Sequence, residues 1–179
     1  MAGPSGSGKT TLARRLGTEL DLPVTELDGL FHGPNWTPRP EFEAEARALA
    51  DSRRWVTEFQ YELARPVLLA RCHLLVVLLL PRRVVMTRVV RRTVRRRITR
   101  ETLWNGNTET SLWHAAVGPD GIIRWAWQTH ADTAHRLAEI GRARPELPVV
   151  VLPTPAAVQR WLSGPVRAAA MSARGRDHR

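Results

Sequence analysis

The residues Gly3-Pro4-Ser5-Gly6-Ser7-Gly8-Lys9-Thr10 satisfy the pattern G-x-x-x-x-G-K-[ST], and each part of it has a physical task around a phosphate chain. Gly3, Gly6 and Gly8 let the backbone wrap with its amide hydrogens turned inward, because a side chain there would block the approach of phosphate oxygens. Lys9 adds a point charge at the β- and γ-phosphates, and Thr10 can place its hydroxyl on Mg2+. Ser5, Ser7 and Thr11 complete the lining. The stretch that begins at Thr11 reads as a helix whose positive N-terminus faces the anion. Lys9 is also the only lysine among 27 basic residues, the rest being arginine. Arginine usage this complete reflects the coding genome, which weakens arguments from any single Arg and sharpens the one exception.

A loop of this kind leaves the C-terminal end of a buried strand, yet only Met1 and Ala2 precede Gly3. The reading from sequence is that the first strand of the fold is missing from these 179 residues. The expectation is a start upstream of Met1; the alternative is a domain without its central strand, which would expose ladder groups on both neighbours. Residues 23–28 look like a short strand ending in Asp28, followed by turn signals over 29–40. Asp28 then sits at a strand's C-terminal edge, a candidate for Mg2+ contact or for orienting an acceptor hydroxyl. Residues 41–51 read as a helix, 55–59 as a strand that carries Glu58, and 64–71 as a helix. Glu58 is a second edge carboxylate and a candidate metal group. The run 74–80 is continuously apolar and closed by Pro81, as a strand buried on both faces requires. Residues 122–142 read as one helix, 148–153 as a last buried strand and 156–162 as a last helix. Residues 165–179 are expected to form a frayed basic tail after a domain spanning 1–164. Alternating strands and helices predict an α/β fold, a three-layer α/β/α sandwich with a parallel sheet.

The chain has 179 residues, 43% hydrophobic and 25% charged, with a formal charge of +10. That excludes a collagen, a wholly disordered chain and a disulfide miniprotein. The longest apolar run is far short of a bilayer span, and the lone Cys72 fits a reducing cytoplasm. From 82 to 100 there are nine arginines and no acid. At 100° per residue, Arg88, Arg91, Arg92, Arg95 and Arg96 share one face, with Val85, Val89, Val90, Val94 and Ile98 opposite. The regular helix is expected to end near Arg97, and 97–121 would suit a lid. The basic face favours anionic partners, including nucleic acid. Trp55, Trp125, Trp127 and Trp161 are expected in the core, whereas Trp36 and Trp104 lie in loops and could stack on a base. The six His show no metal-ligand spacing, and His32 and His114 lie beside the expected pockets.

The chain resembles P-loop kinases of the adenylate-kinase-like superfamily, and more narrowly the bacterial DNA topology modulation and adenylate-kinase-related proteins. The resemblance rests on the 3–10 loop, on Glu26-Leu27-Asp28 followed by Asn35-Trp36-Thr37-Pro38-Arg39-Pro40, on Trp55-Val56-Thr57-Glu58 with Tyr61, on Leu80-Pro81 before the arginine-rich helix, and on Arg124-Trp125-Ala126-Trp127. It implies the P-loop fold and an ATP- and Mg2+-dependent kinase acting on a small phosphoryl acceptor such as a nucleoside monophosphate. It implies an acceptor pocket from Asp28, Trp36, Arg39 and Tyr61, a metal held by Thr10 with Glu58 or Asp28, and a lid whose Arg88, Arg92, Arg95 and Arg96 neutralise the transferring group with Lys9, Arg124 standing further out. The alternatives are a nucleotide-gated nucleic-acid-binding protein that uses the Arg88 to Arg96 face, and a nucleotide binder without catalysis.

Overall fold

The computed structural model describes residues 1–99, 101–107 and 122–175. The glycine-rich loop runs straight into α1 (Lys9–Leu20), whose Leu12, Ala13, Leu16 and Gly17 recur at the three-to-four spacing of one buried face. Then follow β1 (Val24–Thr25), α2 (Leu27–Phe31), a 3-10 turn (Pro34–Trp36), α3 (Phe42–Asp51), β2 (Val56–Thr57), α4 (Arg65–Arg71), β3 (Leu75–Leu78) and α5 (Arg82–Thr99). A second 3-10 turn (Trp104–Gly106) precedes α6 (Ile122–Gln128), α7 (Asp132–Ala143), β4 (Val149–Leu152), α8 (Pro155–Trp161), a π-helical turn (Leu162–Val166) and α9 (Arg167–Arg174).

The protein is a mixed α/β structure, rich in helix, with two parallel sheets of two strands each. β1 pairs with β2, Val24 opposite Val56; β3 pairs with β4, Leu75 opposite Val149. The first two residues tie the pairs together. Ala2 N–H donates to Val76 O (2.8 Å) and Leu78 N–H donates to Ala2 O (2.9 Å). On the other side Phe59 N–H donates to Met1 O (2.6 Å), and the Met1 amino group donates to Thr57 O (2.7 Å). Met1 and Ala2 thus lie between β2 and β3 and are bonded to both flanks.

All four residues of β3 are buried. Leu75 and Val77 join Leu27, Phe42, Ala46, Leu68 and Ile140, whereas Val76 and Leu78 join Leu12, Leu16, Leu152, Leu162 and Val166. Strand alternation therefore feeds two cores, one on each side of β3. Burying each of these large aliphatic side chains is worth about 1.5–3 kcal/mol. A smaller cluster of Leu80, Val85, Val89 and Ala126 fixes α5 against α6.

Several elements differ from expectation. β1 ends at Thr25, and Asp28 lies in the first turn of α2 instead of at a strand edge. A carboxylate there complements the helix N-terminus, and the fully buried Leu27 anchors the turn. The single helix expected over 122–142 breaks between Gln128 and Asp132, where His130 Nε2 bonds Leu80 O at 2.9 Å. β4, which pairs with β3 alone among the described strands, is only partly buried: Val151 is 41% exposed, whereas Leu152 reaches the core. Of the tail expected to fray, Arg167–Arg174 form α9, with Val166 just before it and Ala170 within it buried; residues 176–179 lie outside the described residues. The run of alanines in α9 is the strongest helix former available, a signal masked by the flanking arginines.

In α5 the buried residues are Val85, Val89 and Thr93, while Val90, Val94 and Ile98 are exposed, so the expected apolar face is split. The helix also runs past Arg97 to Thr99. Trp127 is 55% exposed beneath Arg82 rather than in the core. Trp113, His114, the Trp125 side chain and most of the expected lid, Arg100 and residues 108–121, lie outside the described residues. No helix among those described is long and apolar enough to cross a membrane.

Candidate active site

The loop enters α1 through Gly8, the helix N-cap, at φ +98, with no side-chain cap and no acid in the first turn. The first amides of such a helix have no internal partner, and they mark its positive end. Gly6, at φ +79, packs so closely on α5 that a Cβ there would lie 2.3 Å from Val89 Cγ2. At Gly8 a Cβ would meet nothing nearer than Arg88 Nη1 at 3.6 Å, so the concave side of the loop is open. Ser7 is 2% exposed, yet its hydroxyl has no partner among the described residues.

Three cations converge on this loop. Lys9 Nζ folds back and donates to Gly3 O (3.0 Å) and Pro4 O (3.2 Å). Burial holds its ammonium below the ordinary lysine value, against the nearby Glu58 and Asp28 carboxylates, which favour the charged form. Arg88 reaches from α5 to Ser7 O at 2.9 Å, and Arg92 Nη2 lies 3.4 Å from Ser5 Oγ. The other two arginines expected in the lid turn elsewhere. Arg95 and Arg96 sit 3.0 and 3.5 Å from Glu101, and Arg96 lies 5.9 Å above the Trp104 ring. Arg124 is exposed on α6.

The Thr10 hydroxyl donates to Glu58 Oε1, and Leu27 N–H donates to Oε2 at 3.3 Å. Glu58 is 2% exposed; burial raises its carboxyl above the ordinary range, the Thr10 bond opposes this, and the Asp28 charge adds to it. Thr10 and Glu58, brought together across 48 residues of chain, are hard oxygen ligands at a helix start beside an anion cradle, a donor set that suits Mg2+. Among the described residues no three His, Cys, Asp or Glu side chains cluster as a metal cage. Mg2+ needs none where phosphate oxygens and water complete its shell.

Asp28 stands apart from Thr10. Its Oδ1 accepts from Gln60 Nε2 (2.7 Å) and from the Tyr61 hydroxyl (2.5 Å), and Tyr61 in turn meets His32 Nε2 at 3.1 Å. Tyr61 adopts φ +61, a left-handed conformation costly for an aromatic residue, and its ring stacks on Phe31 at 4.2 Å. Burial and the Asp28 charge push its phenol far above the ordinary tyrosine value. The Trp36 ring packs edge-on against His32 at 5.0 Å, and the Trp36 backbone N–H donates to Asn107 Oδ1. Arg39 is held by both oxygens of Glu45 (2.9 and 2.8 Å) and donates to Leu30 O, so it pins its loop onto α3. Thr11 is exposed one residue beyond Thr10.

Residues that pattern reading passed over are Gln60, Asn105, Asn107 and Glu26. Asn107 Nδ2 donates to Gly33 O (2.8 Å), Asn105 reaches the His32 carbonyl, and Trp104 Nε1 donates to Glu26 Oε2 (3.1 Å). Together they strap residues 101–107 onto residues 26–36. Gln60 had one signal: in an extended segment, residues 58 and 60 face the same side. The asparagines had none beyond a turn-rich composition.

No protein-family model matches the chain. No curated protein matches it either.

Proposed function

We propose that this chain is a Mg2+- and ATP-dependent phosphotransferase that moves the γ-phosphoryl group to a small acceptor. The observation that carries the reading is the open loop at an uncapped helix start, with Lys9, Arg88 and Arg92 drawn to it. A buried ammonium, a buried Ser7 hydroxyl with no partner among the described residues and the amides of an uncapped helix start are all met by one polyanion. The chain order also supports a P-loop sandwich. With Met1 and Ala2 counted as the end of a central strand, the sheets read β1, β2, residues 1–2, β3, β4, all parallel, with a core on either side.

Phosphoryl transfer needs positioning and charge neutralisation more than covalent help. The loop amides and Lys9 hold the β- and γ-phosphates. Arg88 and Arg92 reach the loop's outer side and oppose the charge that spreads over the transferring oxygens. Thr10 and Glu58 would hold Mg2+, which when bound screens the phosphate charge. Asp28, fixed by Gln60 and Tyr61, lies on the acceptor side. The drawing of Arg88 and Arg92 to the loop favours this reading over a surface that tracks a nucleic-acid backbone.

The test is calorimetry of Mg2+·ATP binding to the chain and to Lys9→Ala, with circular dichroism showing that both are folded. Saturable binding by the parent and at least a 100-fold loss in the variant are expected. Equal affinity in a folded Lys9→Ala would remove the loop from the reading.

A further inference from the structure

Resting on the kinase reading, we infer that the acceptor is a phosphate-free hydroxyl compound, such as a polyol, sugar, nucleoside or amino alcohol, and that Asp28 is the residue that receives its hydroxyl. The argument is the hydrogen-bonding sense of the acceptor side. Asp28 Oδ1 is filled by Gln60 and Tyr61, and no described residue donates to Oδ2. Because the Tyr61 proton is directed to Asp28, the Tyr61 oxygen accepts from His32 Nε2–H. His32 Nδ1, on the far side of that ring, is buried without a hydrogen-bond partner among the described residues. The group left open on the acceptor side is thus an acceptor, the Asp28 carboxylate oxygen Oδ2. It calls for a donor.

A phosphate monoester is the opposite kind of ligand, an acceptor-only anion that requires cations. Among the described residues the cations near this side are already engaged. Arg14 pairs with Glu26 at 2.5 Å, Arg39 with Glu45, and Arg95 and Arg96 with Glu101. Lys9, Arg88 and Arg92 are bonded to the loop. An acceptor phosphate against the Asp28 carboxylate would have to draw one of these described cations away from its partner, a cost that a hydroxyl does not meet. A hydroxyl instead donates to Oδ2. In the transfer its oxygen forms the new P–O bond, the β,γ-bridging P–O bond breaks with its electron pair leaving on ADP, and the hydroxyl proton passes to Asp28.

The experiment starts with AMP-PNP and Mg2+, titrated into the full chain by calorimetry; failure to bind here would defeat the nucleotide reading and is thereby kept separate. With the analogue bound, the common nucleoside monophosphates and inorganic phosphate are titrated, and no saturable heat is expected at millimolar concentration. ATP turnover is then followed with nucleosides, hexoses and amino alcohols, and with their monophosphates. Transfer confined to the phosphate-free set is expected, falling about 100-fold or more in Asp28→Asn at unchanged analogue affinity. Tyr61→Phe keeps the stack on Phe31 and is expected to lower kcat about 10-fold with acceptor KM unchanged, the mark of a positioning residue. Saturable binding of a monophosphate, transfer to one, or silence of both sets with the analogue bound would each overturn the inference.

Discussion

Glu58 carries a titration that solution measurements can read. Its carboxyl is raised above the ordinary value of 4.5, first by burial and further by the Asp28 charge, so the folded state favours the protonated form. The contribution is fully present below the unfolded value and is lost as pH rises through the higher folded value, since the folded state then holds the extra proton. Urea midpoints in chelator-containing buffer should therefore fall as pH is raised from about 4 toward 7, and Glu58→Gln should flatten that fall. Parallel profiles for parent and variant would show that burial is not perturbing this acid. Lys9 and Thr10 were legible from the amino-acid order because a phosphate cradle demands those types at fixed spacing. The Thr10 bond to Glu58 and the Gln60–Asp28–Tyr61 arrangement close across 32 to 48 positions, and no local pattern encodes which distant partner a side chain meets.

Helix α5 shows the same limit one level up. Its existence follows from periodicity, but the wheel places Val85, Val89, Val90, Val94 and Ile98 on one side without saying which part of that side is covered. The loop decides. Gly6 seats on Val89 and Arg88 bonds Ser7 O, which rotates burial toward the arginine side, leaving Val90, Val94 and Ile98 at 41, 36 and 75% exposure. A shallow open trough of about 370 Å3 runs along Arg91, Val94, Arg95, Ile98 and Thr99 as a result. Val89→Ala should then cost about 2 kcal/mol of stability, the loss of two buried methyl groups beside a cavity. Ile98→Ser should stay within about 0.5 kcal/mol of the parent. Denaturant titration of both variants distinguishes this orientation from the symmetrical wheel, which would make the Ile98 change the more damaging of the two. The strands were legible as apolar runs, most clearly β3. Their ends were not, because β1 and β2 are only as long as the pairing each finds.

At the scale of the molecule, the two sheets and the phosphate loop depend on the same short stretch of backbone. Met1 and Ala2 bond to β2 on one flank and β3 on the other, and the chain turns into the loop at Gly3. Anything that loosens Ala2 should therefore act twice, on the cohesion of the two cores that meet at β3 and on the posture of the cradle. Ala2→Pro removes the N–H that donates to Val76 O at 2.8 Å and leaves that carbonyl unpaired in a buried strand. A loss of about 1–3 kcal/mol follows from the unsatisfied group alone. Ala2→Gly keeps both bonds and should cost less than about 1 kcal/mol. If cradle and sheet are one unit, Ala2→Pro also weakens Mg2+·ATP binding although every loop side chain is intact, while Ala2→Gly binds like the parent. Calorimetry at a temperature where both variants are folded separates the two effects: a destabilised Ala2→Pro that binds with parental affinity would mean that the loop holds its shape from α1 and α5 without help from the strands.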